Sequence, residues 1–148
     1  MKRVGLLLLV ALTLCGQAWA GPLEDANAAY LRRDYASALQ LLRPLAEKDD
    51  PDAQINLANM YFDGNGVPQD YAVAVTWYRR AADRGSADAQ IALGFLYEYG
   101  EAVPQDYVQA HKWFDLAGSS LYRDTLAAKM TSAEIAEAQK LAREWKPK

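Results

Sequence analysis

The sequence predicts an all-α fold, an α-solenoid of antiparallel helix pairs that ends in a C-terminal capping helix. Two observations predict it. Residues 52–82 and 88–118 repeat at a constant offset of 36 positions, and 15 of the 31 aligned pairs are identical. Each copy holds two apolar segments with helical spacing, separated by a loop that contains glycine. Repeats of this length are typical of solenoids, in which each helical hairpin buries its apolar faces against its neighbours.

The overall composition narrows the possible functions. The chain has 148 residues, a formal net charge of −3, one cysteine and one histidine. This length suffices for one domain with a hydrophobic core. The sequence contains no basic block, so we expect no nucleic-acid partner. A single Cys and a single His exclude a disulfide framework, and we predict neither a metal site nor a cofactor.

Residues 1–20 have the pattern of a secretory signal peptide. Lys2 and Arg3 form a positive start, an apolar run follows, and Ala18 and Ala20 form a cleavage site of the A-x-A type. We therefore expect residues 21–148 to be the mature domain.

Two other readings of this leader are a retained membrane anchor and a lipoprotein signal. The apolar run is short for a membrane span. Leu14 stands where a lipoprotein signal has a small residue, which argues against lipidation of Cys15. We expect an exported protein, periplasmic or secreted, without a stable membrane span after cleavage.

The mature chain divides into four segments. The first, 23–49, is a half repeat with two short helical patterns, and Pro44 predicts a kink or an early end in the second of them. Two full repeats follow at 51–85 and 87–118. The segment 119–146 holds the capping helices, with a further helix expected from 119 to 130 and a capping box at Thr131.

Aspartates and serine mark the starts of most of the predicted helices. Asp50 before Pro51 is a strong start signal, since Asp suits the N-cap and Pro the first helical position. Asp-Tyr-x-x-Ala recurs three times at the same offset of 36. The N-caps that these patterns predict are Asp34, Asp50, Asp70, Ser86 and Asp106.

The repeat unit resembles the Sel-one-like repeat, a member of the tetratricopeptide-repeat superfamily. Two full copies and one half copy of its pattern cover most of the mature chain. Ala102 stands where the pattern has the second loop glycine, which argues against an identical loop conformation. The residues that carry the pattern as structural positions are Leu57, Tyr61, Gly64, Asp70, Tyr71, Ala74, Trp77, Leu93, Gly94, Tyr97, Gly100, Asp106, Tyr107, Ala110 and Trp113.

The resemblance implies an exported bacterial protein that is a non-enzymatic scaffold or adaptor. Its first helices would line a concave groove and bind an envelope protein or peptide that the sequence does not identify. Outward positions on these helices largely differ between the copies, as recognition positions do. For Phe62 and Phe95, packing against a neighbouring helix is an equally good interpretation. The predicted partner-binding residues are Ile55, Asn59, Phe62, Asp63, Ile91, Phe95, Glu98 and Tyr99.

Two alternatives to a scaffold remain. One is a periplasmic ligand-binding or regulatory protein, for example one that binds a cell-wall fragment or regulates a sensor kinase. The other is a hydrolase like the cysteine-rich relatives that act on β-lactams, but those depend on disulfides that this mature chain would lack. His111 lacks a pattern of catalytic partners, so we predict no catalytic residues.

Overall fold

The computed structural model describes residues 21–148, which form eight α-helices connected by short loops. Each helix packs against the next along the chain from α1 to α7, and α8 packs against α6. The predicted all-α solenoid is confirmed. The helices are α1 (Pro22–Leu31), α2 (Tyr35–Glu47), α3 (Pro51–Asp63), α4 (Tyr71–Asp83), α5 (Ala87–Tyr99), α6 (Tyr107–Leu116), α7 (Ser120–Ala127) and α8 (Ser132–Glu144).

The predicted caps start the helices. A carboxylate oxygen of each capping aspartate accepts a hydrogen bond from the backbone N–H three residues on, at 2.8 to 3.2 Å. These bonds satisfy donors that a helix start leaves without a partner. Thr131 and Glu134 form the predicted capping box, in which each side chain accepts from the other residue's backbone N–H.

Small residues let the two helices of a repeat approach closely. Gly94 in α5 lies against the ring of Phe114 in α6, and a Cβ at position 94 would come within 2.3 Å of that ring. The preceding repeat has fully buried Ala58 and buried Tyr78 at the corresponding positions. Glycine at 94 therefore belongs to the packing of this helix pair, because a larger side chain would push the helices apart.

A buried glutamine joins each repeat to the one before it. Gln54 Nε2 donates to the Ala46 carbonyl oxygen at 2.9 Å, and Gln90 Nε2 donates to the Ala82 carbonyl oxygen at 3.1 Å. Both glutamines are almost completely buried. In each case the first helix of a repeat is hydrogen-bonded to the end of the preceding second helix, which links the two repeats.

Three expectations about the helices differ from the structure. Helix α2 does not end early at Pro44 but continues to Glu47, because Leu42 and Ala46 on either side of the proline are buried in the core. The helix expected at 119–130 is shorter, ending at Ala127. Tyr71, predicted as a structural position of the repeat, is 44% exposed.

The signal-peptide prediction concerns residues outside the described part of the chain. Its cleavage site at Ala18 and Ala20, and Cys15, all lie there.

Candidate functional site: the groove between helices α1 and α3

A groove of about 280 Å³ lies between the first helices of successive repeats. Of the predicted partner-binding residues, Asn59 lines it. The sequence did not indicate the others, which come from α1, α2 and α3. They are Asn27, Tyr30, Leu31, Leu42 and Asn56. We call this set, with Asn59, the α1/α3 groove.

Asparagine amides dominate the polar wall of the α1/α3 groove. Asn56 Nδ2 donates to Asn27 Oδ1 at 2.7 Å, which joins α1 to α3 across the groove. Within residues 21–148, the remaining groups of this pair, Asn27 Nδ2 and Asn56 Oδ1, make no hydrogen bond, so one donor and one acceptor stay available. A peptide bond presents the complementary acceptor and donor.

Asn59 is held in place from below by a tyrosine. Its Oδ1 accepts a hydrogen bond from the hydroxyl of Tyr78 in α4. Burial, with the nearby Asp63 carboxylate, raises the pKa of Tyr78 to about 12, so this hydroxyl stays protonated and remains a donor. The amide nitrogen of Asn59 therefore has a fixed orientation.

The rim of the groove differs from its wall. Leu31 at the end of α1 is a large apolar side chain that is 82% exposed. Tyr30, beside it, accepts a hydrogen bond through its hydroxyl from Asn65 Nδ2 at 2.9 Å. The groove thus combines amide groups for main-chain recognition with one exposed apolar side chain.

The aromatic residues predicted for partner binding pack against other helices. Phe62 contacts Tyr71 of α4, with ring centroids 5.1 Å apart. Phe95 contacts Phe114 of α6 at 5.2 Å and Tyr122 of α7 at 4.8 Å. Both phenylalanines therefore make the contacts with neighbouring helices that the packing interpretation predicts.

The remaining predicted residues fall into buried and exposed positions. Glu98 is only 7% exposed, and its carboxylate lies 2.9 Å from Lys129 Nζ, so it is paired within the fold instead of facing outward. Ile55 and Ile91 are half-buried against the core. Asp63 is exposed, and Tyr99, stacked on Phe95, is 59% exposed.

His111 lies in α6 with its side chain buried. It is 2% exposed, and within the described residues its Nδ1 makes no hydrogen bond. Burial lowers its pKa, so the ring is neutral at pH 7. Residues 21–148 hold no group of three or more His, Cys, Asp and Glu side chains arranged for a metal ion. None of the helices formed by residues 21–148 has the length and apolar character that crossing a membrane requires.

Comparisons with known proteins identify the repeats. The family model described as Sel1 repeat matches residues 26–50, 51–86 and 87–120. A comparison with curated protein sequences gives no match.

The solved structures that are similar to the chain include two repeat proteins. The protective antigen c5321, present in uropathogenic Escherichia coli strains and displaying an SLR fold, is 34% identical with a TM-score of 0.75, and the match covers 85% of this chain and 30% of that chain. A Sel1 repeat protein from Oxalobacter formigenes is 25% identical with a TM-score of 0.67, and the match covers 84% of this chain and 56% of that chain. This chain therefore spans only part of the length of either. With three repeats over more than half of its length, the chain belongs to the Sel1 repeat family.

Proposed function

We propose that this protein is a non-catalytic scaffold of the bacterial cell envelope that binds an extended segment of a partner protein in the α1/α3 groove. The Sel1 repeat fold is typical of protein–protein interaction scaffolds and is generally non-catalytic. The observation that carries the proposal is the pair of asparagines that crosses the groove. Their free donor and acceptor match those of a peptide main chain.

The small volume of the groove favours an extended peptide segment over the surface of a folded domain as its ligand. Its volume of about 280 Å³ is at the lower end of small-molecule sites, so it accommodates a short stretch of chain. Exposed Leu31 on the rim would contact an apolar side chain of that stretch, while the amides bind its backbone. Such a division gives affinity through the main chain and selectivity through one side chain.

The envelope location rests on the leader sequence. The pattern of residues 1–20, with its cleavage site, supports export. The similarity to a protective antigen is consistent with an exported protein. Cell fractionation of the full-length chain, together with the N-terminal sequence of the mature protein, tests this part of the proposal.

A site-specific crosslinking experiment tests the groove. A photoreactive amino acid replaces Leu31 on the groove rim in the protein expressed in its native cells. We expect one adduct of defined mass, because the partner segment passes over this position. Adding Asn27→Ala and Asn56→Ala should remove the adduct, since both amides that bind the main chain are then lost. Neither asparagine is buried, so helical content and melting temperature should remain close to those of the parent protein.

The chain offers a matched control for position 31. Leu121 in α7 is also a highly exposed leucine, at 71%, but it lies outside the groove. The photoreactive residue at position 121 should give no such adduct. The groove is not the binding site if both positions give the same adduct, or if the adduct persists in the double asparagine variant.

A further inference from the structure

A second cleft, away from the α1/α3 groove, lies between α4 and α6 and is covered by the last residues of the chain. Its volume is about 620 Å³, and it is lined by side chains of both helices, Tyr97 of α5 and the segment 145–148. That segment is attached to α4 at its end. The Lys148 backbone N–H donates to the Asp83 carbonyl oxygen at 2.8 Å, and Lys148 Nζ lies 3.0 Å from Asp83 Oδ2.

Four cations converge on this cleft in a protein that is otherwise acidic. They are Arg79, Lys112, Lys146 and Lys148, and the side chains that line the cleft include two carboxylates, Asp83 and Asp106. Residues 21–148 as a whole carry 14 basic and 19 acidic side chains. A local excess of positive side chains in an acidic protein produces a positive electrostatic potential in the cleft, which attracts anions.

The two carboxylates of the cleft already have partners. Asp83 pairs with Lys148, as described, and Asp106 Oδ1 accepts from the backbone N–H of Gln109 at 3.0 Å and caps α6. Within the described residues, no carboxylate lies within 4.0 Å of the charged groups of Arg79 or Lys112. These two cations therefore lack an ion-pair partner.

Lys112 is the most constrained of the four cations. Its ammonium lies 4.0 Å from the centre of the Trp113 ring, and the residue is partly buried. Burial, with the nearby Arg79 guanidinium, lowers the pKa of Lys112. An anion bound between Arg79 and Lys112 would offset this repulsion.

Comparison of the two repeats separates what is structural in the cleft from what is not. Arg79 donates to the hydroxyl of Tyr97, and Arg43 makes the same contact with Tyr61 one repeat earlier. This arginine–tyrosine bond is therefore part of the repeat. The position of Lys112 is Thr76 in the earlier repeat, so the lysine belongs to the cleft alone.

We propose that this cleft binds an oxyanion, a carboxylate or phosphate group, between Arg79 and Lys112 beneath the segment 145–148. The planar guanidinium of Arg79 suits two oxygens of such a group, and the ammonium of Lys112 supplies a point charge on its other side. Rings of Trp113 and Trp145 in the lining would contact an apolar part of the ligand. The site is independent of the α1/α3 groove.

Thermal unfolding of the full mature chain tests the site. The probes are inorganic phosphate, succinate and the acetylated dipeptide Glu-Glu amide, each compared with sodium chloride at equal ionic strength. We expect at least one probe to raise the melting temperature above the chloride value, because a ligand of the folded state stabilises it. The probe that does so identifies the source of the oxyanion as a phosphate, a free dicarboxylate or an acidic peptide.

Two pairs of variants decide whether the effect comes from this cleft. Lys112→Gln should weaken probe binding by about tenfold or more, whereas Lys140→Gln, which removes an exposed positive charge of α8, should leave binding unchanged. Arg79→Gln should weaken binding, whereas Arg43→Gln, which breaks the same arginine–tyrosine bond outside the cleft, should not. The proposal is overturned if no probe exceeds the chloride effect, or if both members of a pair respond alike. Neither result would affect the crosslinking test of the groove.

Discussion

His111 is a buried histidine at a position where the two other copies of this helix carry Leu39 and Val75. Leucine and valine satisfy such a site by packing alone, but the imidazole brings two nitrogens, and within the described residues Nδ1 has no partner. The charged groups that act on it are Asp115 of α6 with Arg123 and Asp124 of α7. Burial outweighs the two carboxylates and lowers the pKa of His111, so the neutral ring is the form that the fold accommodates.

A pH dependence of stability follows from this lowered pKa. The unfolded chain takes up a proton on His111 at about pH 6.5, whereas the folded chain does so only at a lower pH. Between these two values the unfolded state binds more protons, so the free energy of unfolding falls as the pH falls. We expect His111→Leu to remove this loss. Urea unfolding at about pH 7 and about pH 5 measures this effect. The free energy of unfolding should decrease between these two pH values in the wild type, and by less in the variant.

Three carboxylates with a lowered pKa do not contribute to the measurement in this pH window. The carboxylates with a lowered pKa, Asp34, Asp49 and Glu134, titrate below their ordinary range and stay ionised throughout. Asp34→Asn serves as the control, because its pH response in this window should match that of the wild type. Equal pH dependence in His111→Leu and wild type would contradict the assignment to His111.

The loop between the two helices of a repeat keeps one backbone conformation in both copies. The first loop has Gly66 at φ 74°, and the second has Ala102 at φ 64°. The expectation that Ala102 gives a different loop was wrong. Its neighbours hold it in the left-handed region, since the Gln105 side chain donates to the Glu98 carbonyl oxygen at 2.7 Å, as Gln69 does to Phe62 in the first loop at 2.8 Å.

Substitutions at these two loop positions measure the backbone strain of an alanine in the left-handed conformation. Ala102→Gly should raise the free energy of unfolding by about 0.5–1 kcal/mol, because relief of the left-handed alanine exceeds the extra freedom of glycine in the unfolded chain. The reverse change, Gly66→Ala, should lower it by more than about 1 kcal/mol. There the new Cβ would also lie 2.5 Å from Tyr35 Cβ. Chemical denaturation of both variants measures the two changes, and a neutral or destabilising Ala102→Gly would show that position 102 carries no strain.

The sequence predicted the helices of this fold better than its binding surfaces, for a physical reason. Caps such as Asp70 act within three residues, and the repeat offset appears directly in the sequence. The α1/α3 groove instead depends on Asn27 meeting Asn56, which no local pattern encodes. The cleft between α4 and α6 likewise depends on segment 145–148 reaching α4, a contact between positions far apart in the sequence.

In the whole molecule, each repeat is stabilised mainly by contacts with the repeats next to it in the chain. The hydrogen bonds of Gln54 and Gln90 join neighbouring helices of successive repeats. Helix α8 packs against α6, the second helix of the last repeat. Such a chain of nearest-neighbour contacts predicts that damage at one end affects the adjacent repeat most. Ala138 is the residue at which this is best tested, since it is the buried side chain of α8.

A carboxylate at the α8 interface should detach the cap without unfolding the opposite end. Ala138→Asp places a charge at a fully buried position, which costs several kcal/mol unless α8 leaves its site. We therefore expect amide hydrogen exchange to accelerate in α5, α6 and α8, while α1 to α3 keep their protection. Ala136→Asp is the matched control, because Ala136 lies exposed on the same helix and should leave exchange unchanged. Uniform acceleration along residues 21–148 would instead mean that the repeats unfold as one cooperative unit.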